Sequence, residues 1–181
     1  MRIISGIFKG RKIDPPKKLP VRPTTDLAKE SLFNILNNQF YFDEVSVLDI
    51  FAGTGSISYE FASRGSSSIT SVDSNFHCTK FISEMADKFE MSIQVIKADV
   101  FKFLESTKNK YDIIFADPPY AMEDESFSKI VQTVFDNNLL EDEGLLIIEH
   151  SKQTDLSNLN NYSLSRNYGG CVFSFFDHNN N

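Results

Sequence analysis

The chain has little that would tie it to a membrane, a disulfide framework or a metal. Among its 181 residues no apolar run approaches the roughly 18 residues that cross a bilayer. The opening stretch, MRIISGIFKGRK, lacks the plan of a signal peptide, because its apolar part is short and basic residues follow it. A cytoplasmic monomer that touches no membrane is expected. There are two cysteines, Cys78 and Cys171. Neither sits in a CxxC pair or at ligand spacing from a histidine. Reduced thiols are therefore expected, with no metal and no disulfide. His77 and His150 have no acid or serine at useful spacing and are expected to be structural or exposed. No internal repeat is present. The 41% hydrophobic and 24% charged residues are ordinary for a globular protein, and the length suits one domain with a real core.

Positive charge is also scarce, with a net charge of −7, which argues against a nucleic-acid partner. Its distribution argues the other way. Residues 1–30 hold eight basic residues against three acidic ones, a net of +5, which leaves −12 for the rest. A basic arm on an acidic body can make local phosphate contacts.

The pattern along the chain alternates. RIISGIFKGRKI, residues 2–13, reads as a short β-hairpin around Lys9-Gly10. DPPKKLPVRP, residues 14–23, holds four prolines and reads as an extended linker. A helix follows over residues 24–40, capped by Thr24, Thr25 or Asp26, with Ala28, Leu32, Ile35 and Leu36 on one face. Five strands separated by four helices come next: VSVLDIF, SSSITSVD, SIQVIKAD, YDIIFAD and EGLLIIEH are the strands. NNYSLSRNY and GGCVFSFFD read as a final antiparallel pair. This predicts an α/β fold with a mostly parallel, Rossmann-like sheet. The expected division is an arm and linker over 1–23, a main domain over 24–178 and a disordered tail at 179–181.

In such sheets ligands gather at the carboxyl ends of the strands. Every unusual feature falls there: Gly53-Thr54-Gly55 after the first strand, Asp73 after the second, Asp99 after the third and Asp117 after the fourth. The turn FAGTGSIS lets backbone approach a ligand. It lacks the third glycine of a dinucleotide fingerprint, since Ser58 stands there. Asp49 before the turn suits a cationic amino group better than a pyrophosphate. Asp73 can accept from two ribose hydroxyls. Asp99 can accept from an adenine amine, with Val100 or Phe101 donating a backbone N–H. Phe51 and Ser74 flank these positions. Each carboxylate could instead cap a helix. Together they describe a nucleoside with a cationic amino-acid tail, which is the anatomy of S-adenosylmethionine.

The order DIFAGTG, VD, AD, DPPY resembles the class I S-adenosylmethionine-dependent methyltransferases, and DPPY resembles the catalytic motif of their amino-methylating branch. RIISGIFKGRKI and RPTTDLAKESLFNIL are similar to the RsmD-like family, which methylates a guanine N2 in bacterial small-subunit (16S) ribosomal RNA. The resemblance runs from RIISG to IEHSK at 148–152. It implies a seven-stranded sheet, S-adenosylmethionine as methyl donor without a metal, and ribosomal RNA as partner, in a small-subunit assembly particle. It implies Asp117, Pro118 and Tyr120 as catalytic residues, and cofactor contacts at Asp49, Phe51, Gly53, Gly55, Asp73, Ser74, Asp99 and Val100. Substrate contacts would be Arg22, Thr24 and Pro119, with Lys9, Arg11 and Lys12 on phosphates.

DPPY at a buried strand end has a physical use. An exocyclic amine on a purine is a poor nucleophile because its lone pair is delocalised. The Asp117 carboxylate and the Pro118 carbonyl can accept its two N–H groups and aim that lone pair at a methyl group. Two consecutive prolines hold the carbonyl at a fixed angle, which is catalysis by position. The Tyr120 ring offers a stacking face worth roughly 1–3 kcal/mol. Three other readings compete. A DNA adenine-N6 or cytosine-N4 methyltransferase shares DPPY but usually carries an added recognition domain. An NAD-dependent oxidoreductase would want the missing glycine. An RNA-binding module with a vestigial pocket need not keep these carboxylates.

Overall fold

The computed structural model describes residues 1–16, 19, 24–119 and 121–179. Of the expected site residues, Arg22 and Tyr120 lie outside the described residues. So do most of the expected linker and the last two residues of the expected tail. The elements run α1 (Asp26–Leu36), β1 (Ser46–Ile50), α2 (Ser56–Ser63), β2 (Ser68–Asp73), α3 (Phe76–Lys88), β3 (Ile93–Lys97), α4 (Val100–Ser106), β4 (Tyr111–Ala116), α5 (Asp124–Asp136), β5 (Leu140–Ser151), β6 (Tyr162–Tyr168) and β7 (Cys171–Phe176).

The strands form one sheet in the order β3-β2-β1-β4-β5-β7-β6. The first five pair in parallel, while β7 runs antiparallel to both β5 and β6. This is the expected Rossmann-like architecture with its antiparallel C-terminal pair. Strand order reverses between β1 and β4, which opens a crevice at their carboxyl ends. The inner strands are buried on both faces, as their apolar runs require, while the edge strands β3 and β6 are only partly covered. Ile113 and Leu145 pack with α1, α2 and α3, while their neighbours Ile114 and Leu146 pack with α4 and α5. Period-two alternation thus fills two cores from one sheet. Among the described residues no helix is long and apolar enough to cross a membrane.

Two expectations change. The N-terminal hairpin is reduced to one antiparallel bridge, Arg2 to Lys12, with a turn between them. Backbone bonds join its two ends, Ile3 N to Arg11 O and Ile13 N to Met1 O, both at 3.0 Å, and α2 fastens the stretch between them. Ile4 N donates to Glu60 Oε1 at 2.8 Å, Ile7 N to Ser63 O at 2.7 Å and Phe8 N to Ser63 Oγ at 3.0 Å. All eight residues of α2 are consequently buried, including its polar ones. The buried face of α1 also differs: Lys29 and Phe33 join Ala28, Leu32 and Leu36, while Ile35 is half-buried. Lys29 is only 1% exposed; its ammonium lies 3.1 Å from Glu60 and donates to Arg2 O at 2.6 Å. Arg64 also meets Glu60. One of the eight positive charges of residues 1–30 is therefore inside the fold.

Candidate functional site

The crevice between β1 and β4 holds a cavity of about 420 Å³. Its first wall is the turn from β1 to α2. The backbone there is left-handed at Phe51 (φ 58°), Gly53 (φ 54°) and Gly55 (φ 77°). Gly55 has no substitute, because a Cβ would lie 2.9 Å from both Tyr59 and Ile82. Phe51, a bulky residue in that region, is held under strain beside Phe101, with the ring centroids 6.3 Å apart. Asp73 ties the turn down: its Oδ2 accepts from Gly53 N at 2.8 Å and its Oδ1 from Asn75 N at 2.8 Å. Asn75 then caps α3, accepting from His77 N and Cys78 N.

Asp49 lies beneath the turn and is 2% exposed. It accepts from Ser58 Oγ at 2.6 Å and Ser58 N at 3.2 Å. Ser58, at the position of the missing third glycine, therefore serves as the partner of this carboxylate. Burial raises the Asp49 pKa to about 7; the Ser58 bonds oppose that rise and the charge of Asp73 adds to it. Ser56 Oγ is buried on the cavity wall and has no partner among the described residues.

The far wall is the end of β4. Asp117, Pro118 and Pro119 border the cavity with Phe115. Asp117 N donates to Ile50 O at 3.4 Å, and Pro119 O accepts from Met122 N at 2.8 Å, which closes the turn. Among the described residues nothing donates a hydrogen bond to the Asp117 carboxyl. Burial holds its pKa well above the usual carboxylate range, and the charges of Glu149 and Asp49 add to that. Glu149, on β5, is 5% exposed and accepts from Thr24 Oγ1 at 3.0 Å. Thr24 borders the cavity too.

Asp49, Phe51, Gly53, Asp73, Ser74, Asp117, Pro118, Pro119 and Thr24 therefore converge on one cavity. Gly55 shapes its wall from behind. Asp99 and Val100 do not border it: Asp99 accepts from Lys102 N at 3.0 Å and caps α4. Lys9 and Arg11 lie at the other end of α2. The segment passes Thr54 at Met1 and reaches Ser63 at Ile7, so its turn stands beside the C-termini of α2 and α3. There the Arg11 guanidinium sits over Phe8 and Phe89, 5.7 and 5.2 Å from the ring centroids. Lys12 is exposed opposite Arg2. Glu149 escaped the sequence reading, although its signal is present: a carboxylate closes the fifth apolar run, LLIIEH. Cys78 borders the cavity as a free, buried thiol, raised by burial to about 11.

Comparison with known proteins fits this geometry. Residues 1–177 match the family model described as Conserved hypothetical protein 95. Ribosomal RNA small subunit methyltransferase D of Escherichia coli K12 is 30% identical over 168 residues, spanning 92% of this chain and 83% of that protein. The structure of hypothetical protein TTHA0928 from Thermus thermophilus superposes with a TM-score of 0.84 at 25% identity, over 98% of this chain and 99% of that one. SMU.776, solved in complex with SAH, shares the fold at a TM-score of 0.65 and 18% identity, over 84% of this chain and 50% of that one.

Proposed function

The chain belongs to the RsmD-like family of S-adenosylmethionine-dependent methyltransferases, and on that premise we propose that it methylates the exocyclic N2 of a guanine in small-subunit (16S) ribosomal RNA. The observation that carries this reading is the Asp117-Pro118 turn on the cavity that Asp49 and Asp73 also border. The cavity suits the cofactor. Its volume is that of a small-molecule site. Its orphaned Ser56 hydroxyl can bond a polar ligand, and the Asp49 carboxyl can meet a cationic amine. Asp73 would take the ribose hydroxyls on its remaining lone pairs while it holds the turn.

S-adenosylmethionine supplies a methyl group already activated for displacement. The protein's own work is to place the acceptor. Asp117 and the Pro118 carbonyl hold the two N–H groups, and Tyr120 stacks the base. As the N–C bond forms, the S–C electron pair leaves with sulfur, and the nitrogen must lose a proton. A carboxylate beside other carboxylates has raised proton affinity, which suits Asp117 to receive that proton. The target base has to leave its stack to reach this depth, which favours an unpaired guanine.

The test is to incubate the protein with labelled S-adenosylmethionine and either 16S ribosomal RNA, small-subunit particles or DNA, then digest to nucleosides for mass spectrometry. The expected product is N2-methylguanosine from RNA or particles. Label found only as N6-methyladenine in DNA would place the protein among the DNA methyltransferases instead.

A further inference from the structure

We propose that Glu149 is a positioning residue of the methyl-acceptor site, holding the start of α1 against the Asp117-Pro118 turn through the hydroxyl of Thr24. Only the identity of the acceptor rests on the reading above.

Three observations carry this role. Glu149 is 5% exposed and stands on β5, the neighbour of the strand that ends in Asp117. Ile148 pairs with Ala116, so the next residues along, Glu149 and Asp117, are level across the two strands. Thr24, 7% exposed and 125 residues away in sequence, donates to Glu149 Oε2 at 3.0 Å. Thr24 itself borders the cavity with Asp117, Pro118 and Pro119. Thr24, just before α1, thus forms part of the wall on the acceptor side, and its bond to Glu149 ties it to the sheet. A carboxylate buried within a strand is costly unless something uses it. Here its hydrogen bond fixes a wall, and its charge acts on Asp117 more strongly than that of Asp49. The cofactor wall is held separately, by the bond between Gly53 and Asp73.

That separation defines the experiment. Glu149→Ala, Glu149→Gln, Thr24→Val and Thr24→Ser are compared in the full chain for RNA KM, kcat and cofactor Kd. Glu149→Ala and Thr24→Val should each raise RNA KM or lower kcat by tenfold or more, with cofactor Kd within about twofold of wild type. Glu149→Gln, which keeps an acceptor oxygen, and Thr24→Ser, which keeps the hydroxyl, should each retain most activity. The double variant Thr24→Val with Glu149→Ala should be no worse than Glu149→Ala alone, because each change removes the bond between Thr24 and Glu149. Multiplying losses, or a cofactor affinity that falls with them, would overturn the proposal. Hydrogen exchange of residues 24–28 supplies a readout independent of substrate: it should quicken in Glu149→Ala, and unchanged protection would also overturn it. Wild-type protein inactive on RNA would sink the substrate reading alone, since the exchange comparison still judges Glu149.

Discussion

Asp73 and Asp117 stand at the ends of two strands of one sheet and border one cavity, yet their surroundings are opposite. Asp73 has both oxygens occupied, by Gly53 N and Asn75 N, each at 2.8 Å. Asp117 is half-buried with no donor among the described residues and with Glu149 and Asp49 as charged neighbours. The first arrangement builds a cradle: the carboxylate is satisfied, holds backbone in place and can still accept from a ligand. The second is poised: the group is costly as it stands, and a donor arriving with the substrate relieves that cost. On the proposed reading, binding falls to a carboxylate already bonded by backbone and chemistry to one that no described residue bonds.

The sharpest way to break that division is to truncate both residues. Asp117→Ala should reduce methyl transfer by roughly 10³-fold, the scale of losing a preorganised group at a reacting centre. Cofactor affinity measured by calorimetry should stay within a few-fold. Asp73→Ala should do the reverse. Loss of a charge-assisted ribose hydrogen bond costs roughly 1.5–3 kcal/mol, or about ten- to 150-fold in Kd. Near-wild-type turnover in the first variant, or unaltered affinity in the second, would mean that the two ends do not divide the work.

A milder lever is proton concentration. Asp49 has a native pKa of about 7 against an ordinary value of 3.8, so the folded protein holds its proton between those two pH values while the unfolded chain does not. Its contribution to stability is therefore present at low pH and is lost as pH rises from about 4 to 7. Binding runs the opposite way. A cationic amine needs the carboxylate ionised, so cofactor affinity should rise as pH climbs through 7. Calorimetry at pH 6 and 8 should show about a tenfold tightening, and Asp49→Asn should remove it. A Kd indifferent to pH in the wild-type protein would show that Asp49 does not face the amine.

The same contrast explains what the sequence could and could not disclose. Strand ends were legible because apolar runs stop at acidic residues, and the glycine turn and DPP turn carry backbone constraints that few residues meet. Asp99 ends its run in the same manner and caps α4 with one oxygen, since an Asp before a helix can serve an N-terminus as well as a ligand. Glu149 is harder to read because no turn motif follows it: β5 runs on through His150 to Ser151. Lys29 is one of the eight basic residues of 1–30, and only the packing of segment 1–13 over α2 reveals why a lysine and Glu60 can be buried together. Such pairings join residues far apart in the chain and leave no periodic trace.

The smallest expected effect lies farthest from the cavity, on the basic turn. α2 has eight residues, about 12 Å of helix, and it separates Lys9 and Arg11 from the cofactor turn. A strand of RNA reaching the cavity would have to run over segment 1–13, which covers α2, to meet them. Removing one lysine from a phosphate should flatten the dependence of log K on log salt by about 0.7 for single-stranded RNA. Lys9→Ala with Lys12→Ala should therefore weaken RNA binding several-fold at low salt, reduce the slope by about 1.4 and leave cofactor Kd unchanged. These two are better probes than Arg11, because Arg11 also packs on Phe8 and Phe89 and its loss would disturb the arm itself. Arg11→Lys keeps the charge and loses the planar stack, so it separates the two roles. An RNA salt slope identical to wild type in the double variant would confine this turn to holding α2 in place. The acceptor strand would then have to approach over the Asp117 end alone.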